Sequence, residues 1–274
     1  MAEVVKKQGG ALVNASFEEM SGLGFAETTT QDMSIPFLRI LGNQSPQVDE
    51  SDGAYVEGAK GGMLYNTVTN TVTSGKEGML VVPCYYNRRY VEWKPRTEGG
   101  GYVASYLPDD PIVSTATRND KNEEVLPNGN LLTNTAQHFV LLVEGDQYSR
   151  SLITMSSTQL KKSRRWLSQM NAMTAMGKSG PYTLPMMSQF YTLTTVPEQN
   201  DLGKWHGWVI TRDRQLDLSN DFEKSLFENA VAFAKSVEAG EVEAKEVSPD
   251  STPEDLPPIK DAPKQTAEVD GDPF

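Results

Sequence analysis

From Ser34 onward the chain is laid out as short runs of apolar, β-branched and aromatic residues, each closed by turn residues, and this rhythm restricts the folds open to it. It predicts strands over residues 63–67, 71–73, 79–93, 102–106, 137–143, 148–155, 189–196 and 205–211. Between them stand Asn70, Gly75, Gly99-Gly100-Gly101, Pro127-Asn128-Gly129, Gly145-Asp146 and the stretch from Asn200 to Gly203. A βαβ protein would interleave its strands with helical periods. This chain does not, so the spacing predicts a β-barrel or sandwich. Residues 66–73 (NTVTNTVT) read as a hairpin whose two arms share β-branched residues.

Two segments break the β rhythm with a helical period. After Ser156 and Ser157, candidate N-caps, Leu160, Ser163, Leu167, Met170 and Thr174 fall on one face of a helix that Gly177 would end. Its other face carries Lys161, Lys162, Arg164 and Arg165. The second helix starts near Ser219 or Asn220, with Glu223 placed to complete a capping box on Asn220. It buries Phe222, Leu226, Ala230, Phe233 and Val237 and stops at Gly240. The expected class is therefore mainly β (α+β), with two helices.

Charge is distributed unevenly. The net charge of the 274 residues is −12, which alone argues against a nucleic-acid ligand. Eleven acids and three lysines in residues 238–274 account for −8 of this, leaving −4 for residues 1–237. The acidic, Pro-studded terminal segment has too little apolar surface to fold and reads as a disordered tail. Residues 1–32, rich in Gly, Ser and Thr, read as a mobile arm, which leaves 33–237 as the folded unit. Cys84 is the single cysteine, which excludes an intramolecular disulfide and suits a reducing cytoplasm. No apolar run of transmembrane length and no secretory h-region occurs, so the expected setting is a cytoplasm and no membrane is expected as partner.

Two cationic clusters carry the functional signal. In the predicted strand 79–93 and just beyond it lie Tyr85, Tyr86, Arg88, Arg89, Tyr90, Trp93, Lys94 and Arg96. Strand alternation puts Tyr85, Arg89 and Trp93 on one face and Tyr86, Arg88 and Tyr90 on the other. Each face then pairs flat rings with guanidinium groups, the combination that stacks unpaired bases, at about 1–3 kcal/mol per base, while neutralising phosphate. Pro83 withholds a backbone donor and predicts an edge or bulge, leaving one side of the strand open. On the first helix, Lys161, Lys162, Arg164 and Arg165 precede Trp166 with no interleaved acid, a face that calls for an anion.

Other candidates fail on spacing. Gly177-Lys178-Ser179 has the end of a P-loop, but the first glycine of that motif would fall on Ala172. His138 and His206 have no carboxylate or cysteine at ligand spacing, Asp109-Asp110 precedes Pro111 in a turn, and Cys84 sits in an apolar run as a core residue. No nucleophile–base or two-metal pattern is found, so no enzyme, metal or cofactor is expected.

The tip, Asp270-Gly271-Asp272-Pro273-Phe274, resembles the acidic, Pro-Phe-ending tails of bacterial single-stranded-DNA-binding proteins and the Phe-ending tails of podophage counterparts. The body, in blocks 34–41, 58–69, 81–96, 156–166 and 205–209, resembles a family of tailed-phage proteins described as single-stranded-DNA-binding. The resemblance implies an elaborated OB-like β-barrel, sequence-tolerant binding of single-stranded DNA in phage replication or recombination, and a viral protein in the host cytoplasm. It further implies that Asp270, Asp272, Pro273 and Phe274 recruit a polymerase, helicase or nuclease. A homo-oligomer is compatible with this reading. Two rivals stand beside it: a transcription regulator that binds host RNA polymerase, and a virion or scaffolding protein.

Overall fold

The computed structural model describes residues 33–201 and 203–242, together with residues 20, 23–25, 27, 28 and 244. In chain order its strands are β1 (Leu38–Ile40), β2 (Leu64–Asn66), β3 (Thr71–Thr73), β4 (Met79–Trp93), β5 (Tyr102–Tyr106), β6 (Thr117–Arg118), β7 (Glu124–Val125), β8 (Leu131–Glu144) and β9 (Gln147–Ser156). Helix α1 (Leu160–Asn171), β10 (Thr174–Gly177), β11 (Gly180–Thr183), β12 (Gln189–Asn200), β13 (Gly203–Gln215) and α2 (Asp221–Glu238) complete the order. The protein is mainly β with two helices, as the turn spacing predicts.

The spine is the antiparallel ribbon β4–β8, paired along nearly its whole length. At one end it is flanked by β12 and then β13 on the β4 side, and by β9 on the β8 side. At the other end its flanks are β5 on β4 and the short β7–β6 pair on β8. The sheet curls into a half-barrel. A second sheet, β1–β2–β3, joins it through a parallel bridge from Phe37 to Leu152, and β1 lies against both β9 and β13. The expected hairpin over residues 66–73 is β2 and β3, with Asn66 Oδ1 accepting the Val68 and Thr69 amides in the turn at 3.0 and 3.2 Å.

Both faces of the helix-covered end are buried, which explains why Phe139–Val143 is a continuous apolar run instead of an alternating one. Phe139, Leu141 and Val143 face α2 with Val82, Leu152 and Phe190, against Leu226, Ala230, Phe233 and Val237 of that helix. Val140 and Leu142 face the other way with Val81, Ile153 and Leu193, against Trp166 and Met170 of α1. Burying side chains of this size stabilises by roughly 1.5–3 kcal/mol each, so the two helices anchor opposite faces of the sheet.

Helix α2 follows the sequence closely. Asn220 Oδ1 accepts the Glu223 amide at 3.1 Å, one half of the expected capping box. The other half is diverted: the Glu223 carboxylate takes a bidentate pair from Arg214 at 2.9 and 2.7 Å and the Asp217 amide at 2.6 Å. Gly240, at φ 74°, closes the helix. Helix α1 departs from expectation at both ends. A 3₁₀ turn, Ser157–Gln159, precedes it, and Ser156 at the start of that turn makes no side-chain cap bond. The helix stops at Asn171 because the chain turns back as the hairpin β10–β11, in which Thr174 pairs with Thr183 and Gly177 with Gly180. Gly177 is thus a hairpin residue and does not end the helix.

Candidate nucleic-acid interface

Strand β4 organises the site. Its register against β8 slips between Pro83 and Tyr85, the bulge that a proline without an N–H donor favours. Cys84 and Tyr85 consequently both turn toward the α2 core, where burial pushes the Cys84 thiol pKa up and Tyr85 meets Phe139 edge-on at 6.3 Å. Beyond the bulge alternation resumes. Tyr86 now faces the α1 side, its ring 5.1 Å from His138, and Arg88 and Tyr90 follow on that face. The Arg88 guanidinium donates to Tyr90 Oη at 2.8 Å and to Asn134 Oδ1 at 3.1 Å, and lies 5.5 Å from the Tyr90 ring centre.

The strand has one open side. Opposite β8, β12 pairs only with residues 79–81 and β5 only with residues 90–93. Among the described residues no strand pairs with residues 82–89 on that side. The turn Met186–Ser188 and α2 lie against β4, and Val82 and Cys84 are sealed. Exposure then rises from the half-buried Tyr85 and Tyr86 to the exposed Arg88. Asn87 Oδ1 is buried in this stretch with no partner among the described residues.

Helix α1 packs on the same face of the ribbon as Tyr86. Its inward face is Ser163, Trp166 and Met170. Ser163 Oγ bonds the buried His138 ring at 2.8 Å, and Trp166 stacks on that ring at 4.7 Å. Burial lowers the His138 pKa to about 3, so the imidazole is a neutral spacer between helix and sheet. Arg164 then lies near Tyr86: burial raises the Tyr86 pKa, while the charges of Arg88 and Arg164 act against that rise. Tyr86, Arg88 and Tyr90 thus share one face of β4, with Arg164 of α1 within electrostatic reach of Tyr86.

The remaining sequence candidates divide. Arg89, half-buried on the opposite face, donates to the Arg88 carbonyl at 3.2 Å. Lys94 is exposed just past the end of β4, and Lys161 and Arg165 are exposed on α1. Lys162 is not free: its ammonium pairs with Glu198 of β12 at 2.5 Å, and Trp205 Nε1 donates to the same carboxylate at 2.8 Å. Burial raises the Glu198 pKa, but the Lys162 hydrogen bond and charge outweigh this and hold the group below the usual carboxylate range. A side chain at Gly207 would collide with both partners. One anion that the helix face called for is therefore supplied from within the fold.

Two expected stacking residues are corrected. Trp93 is 6 % exposed and packs edge-on against Tyr102 at 6.1 Å. Trp166 is 1 % exposed, held between His138 and Tyr191. Neither presents a ring face to a base. The side chain of Arg96, and Asp270, Asp272, Pro273 and Phe274, lie outside the described residues.

A polar cluster that the sequence does not suggest closes the far end of the ribbon. Glu92, 2 % exposed, accepts from Tyr106 Oη at 2.5 Å and from the side-chain amides of Asn128 and Asn130 at 2.8 and 2.5 Å. Burial raises its pKa, yet the bonds from Asn130, Tyr106 and Asn128 prevail and keep it below the ordinary value. The Tyr106 phenol, bonded to that carboxylate, is pushed up to about 12. The sole sequence signal is Pro127-Asn128-Gly129, which reads as a turn and nothing more.

Among the described residues no helix is long and apolar enough to cross a membrane. No curated protein and no solved structure matches the chain. One family model, described as Pam3 phage gp34-like protein, matches residues 6–243. A match of that extent, covering both helices and every strand, makes the chain a bacteriophage protein of the Pam3 phage gp34-like family.

Proposed function

We propose that this phage protein binds single-stranded DNA without sequence preference during replication or recombination, and that its acidic tail recruits a partner of that machinery. The observation that supports the proposal is the face of β4 carrying the half-buried Tyr86 and Tyr90 and the exposed Arg88 beside an unpaired stretch of strand, with the exposed Arg164 of α1 within electrostatic reach of Tyr86. Rings of this kind stack bases of any identity, and guanidinium groups hold phosphate by charge and by forked hydrogen bonds. We also read the curled sheet as an elaborated OB-like barrel, supported by the small sheet that reaches both outer strands, β9 and β13.

The test is fluorescence anisotropy of labelled oligo-dT at two salt concentrations. The unaltered chain binds, more weakly at high salt. Replacing both Arg88 and Arg164 by Ala weakens binding and flattens the salt dependence, by about 0.7 in log–log slope for each phosphate no longer neutralised. Unchanged affinity and slope in that variant would remove the site. Deleting residues 270–274 leaves DNA binding intact or tighter and abolishes capture of the replication partner.

A further inference from the structure

The hairpin β10–β11 belongs to neither sheet. It projects directly after α1, its base tied to the end of that helix by the Met173 amide on the Met170 carbonyl at 3.2 Å and the Leu184 amide on the Met173 carbonyl at 2.8 Å. An isolated two-stranded hairpin has little to stabilise it, and this one leaves apolar surface in solvent: Met176 is 79 % exposed and Tyr182 is 50 % exposed. The Tyr182 ring is nevertheless held. It crosses to the other strand and lies against Gly177, where a Cβ would come within 3.1 Å of it. An aromatic ring set against a cross-strand glycine is held in place, and half of the Tyr182 surface stays in solvent. Lys178 is exposed in the hairpin turn.

The charge pattern of the sequence that carries the hairpin bears on what it faces. Although the chain holds 37 acids, none occurs among the 51 residues from Gln147 to Pro197, while Arg150, Lys161, Lys162, Arg164, Arg165 and Lys178 do. This span runs through β9, α1, the hairpin and most of β12. Carboxylates are missing from this span of sequence, and the Glu198 just beyond it is taken up by Lys162, so the partner suited to the hairpin is a polyanion with flat apolar groups.

We infer that the β10–β11 hairpin is a second contact for single-stranded nucleic acid, with Tyr182 stacking a base and Lys178 meeting a phosphate. The inference rests on the function proposed above and extends it to residues outside the β4 and α1 surface. It also supplies an exposed ring where Trp93 and Trp166 supply none.

The experiment compares full-length Tyr182→Ala, Tyr182→Trp and Lys178→Ala with the Arg88→Ala/Arg164→Ala pair, using labelled oligo-dT and, separately, phosphatidylserine vesicles. Tyr182→Ala should weaken oligo-dT binding roughly tenfold with an unchanged salt slope, Tyr182→Trp should retain it, and Lys178→Ala should lower the slope by about 0.7. Thermal melting shows that each variant is folded. If Tyr182→Ala and Lys178→Ala bind oligo-dT like the unaltered chain while the arginine pair is weakened, the hairpin contact is wrong and the β4 and α1 surface stands. If the unaltered chain binds no oligo-dT, both fall. Loss of vesicle binding in Tyr182→Ala with oligo-dT binding untouched would overturn the inference in favour of a lipid surface.

Discussion

The two ends of the β4–β8 ribbon are held together by different physics. At the end flanked by β12 and β9, α1 and α2 press apolar side chains onto both faces. At the end flanked by β5, β6 and β7, a buried carboxylate gathers three neutral donors from a neighbouring strand and a turn. Apolar burial tolerates changes of pH, whereas a hydrogen-bonded carboxylate works only while it is charged. Between these ends lies the stretch of β4 with an unpaired edge, so the candidate interface occupies the zone where one mode of stabilisation gives way to the other.

The strongest way to break this contrast is to remove a side chain at the helix-covered end. Phe233→Ala empties a fully buried site against Phe139 and should cost about 3–5 kcal/mol in urea unfolding, felt by the whole domain. At the polar end Glu92→Gln sets an amide among donors. We expect a cost of about 1–3 kcal/mol, appearing in hydrogen exchange as reduced protection of β5 and the 127–130 turn ahead of the rest. Equal loss of protection at both ends would erase the distinction.

The pH dependence sharpens the same contrast. The Glu92 pKa is lowered in the fold, so its stabilisation is complete above the usual carboxylate range and is lost as pH falls through the lowered value. The Tyr106 pKa is raised, so its contribution is complete below an ordinary phenol pKa near 10 and is lost as pH rises toward about 12. NMR or hydrogen exchange on β5 should show loosening at both extremes, and Glu92→Gln should blunt the acid one. The smallest expected effect is that of Lys162→Met, about 0.5 kcal/mol for a partly exposed pair. Because Lys162 is already neutralised by Glu198, its removal should leave the oligo-dT salt slope unchanged, whereas removal of Arg164 should lower it.

Much of the fold is legible in the sequence because it rests on local signals. The bounds of β4 and β5 coincide with the expected strands, and α2 buries the stripe that its spacing predicts, with Phe222 half-buried against Tyr148. Where polar residues enter a strand the signal fades: β8 begins at Leu131, six residues before its expected start, because Thr133, Asn134 and Thr135 look like loop yet pair with β4. The sequence makes helix α1 too long because Thr174 keeps its spacing and Gly177 resembles a helix stop. In the candidate surface, the exposure of Arg88 and Arg164 agrees with what the sequence suggests, whereas the burial of the tryptophans does not. Trp166 is the largest side chain on α1, and the core takes it in. The Lys162–Glu198 pair joins residues 36 positions apart, and no local pattern announces it.

The chain's lone thiol has a practical consequence. Cys84 is sealed at the bulge, next to the part of β4 that lacks a second partner strand. A disulfide reagent such as Ellman's can reach it only when that segment breathes, so the labelling rate is a built-in clock for opening at the bulge. Any ligand that clamps the neighbouring surface should slow that clock in proportion to its occupancy, with no engineered probe.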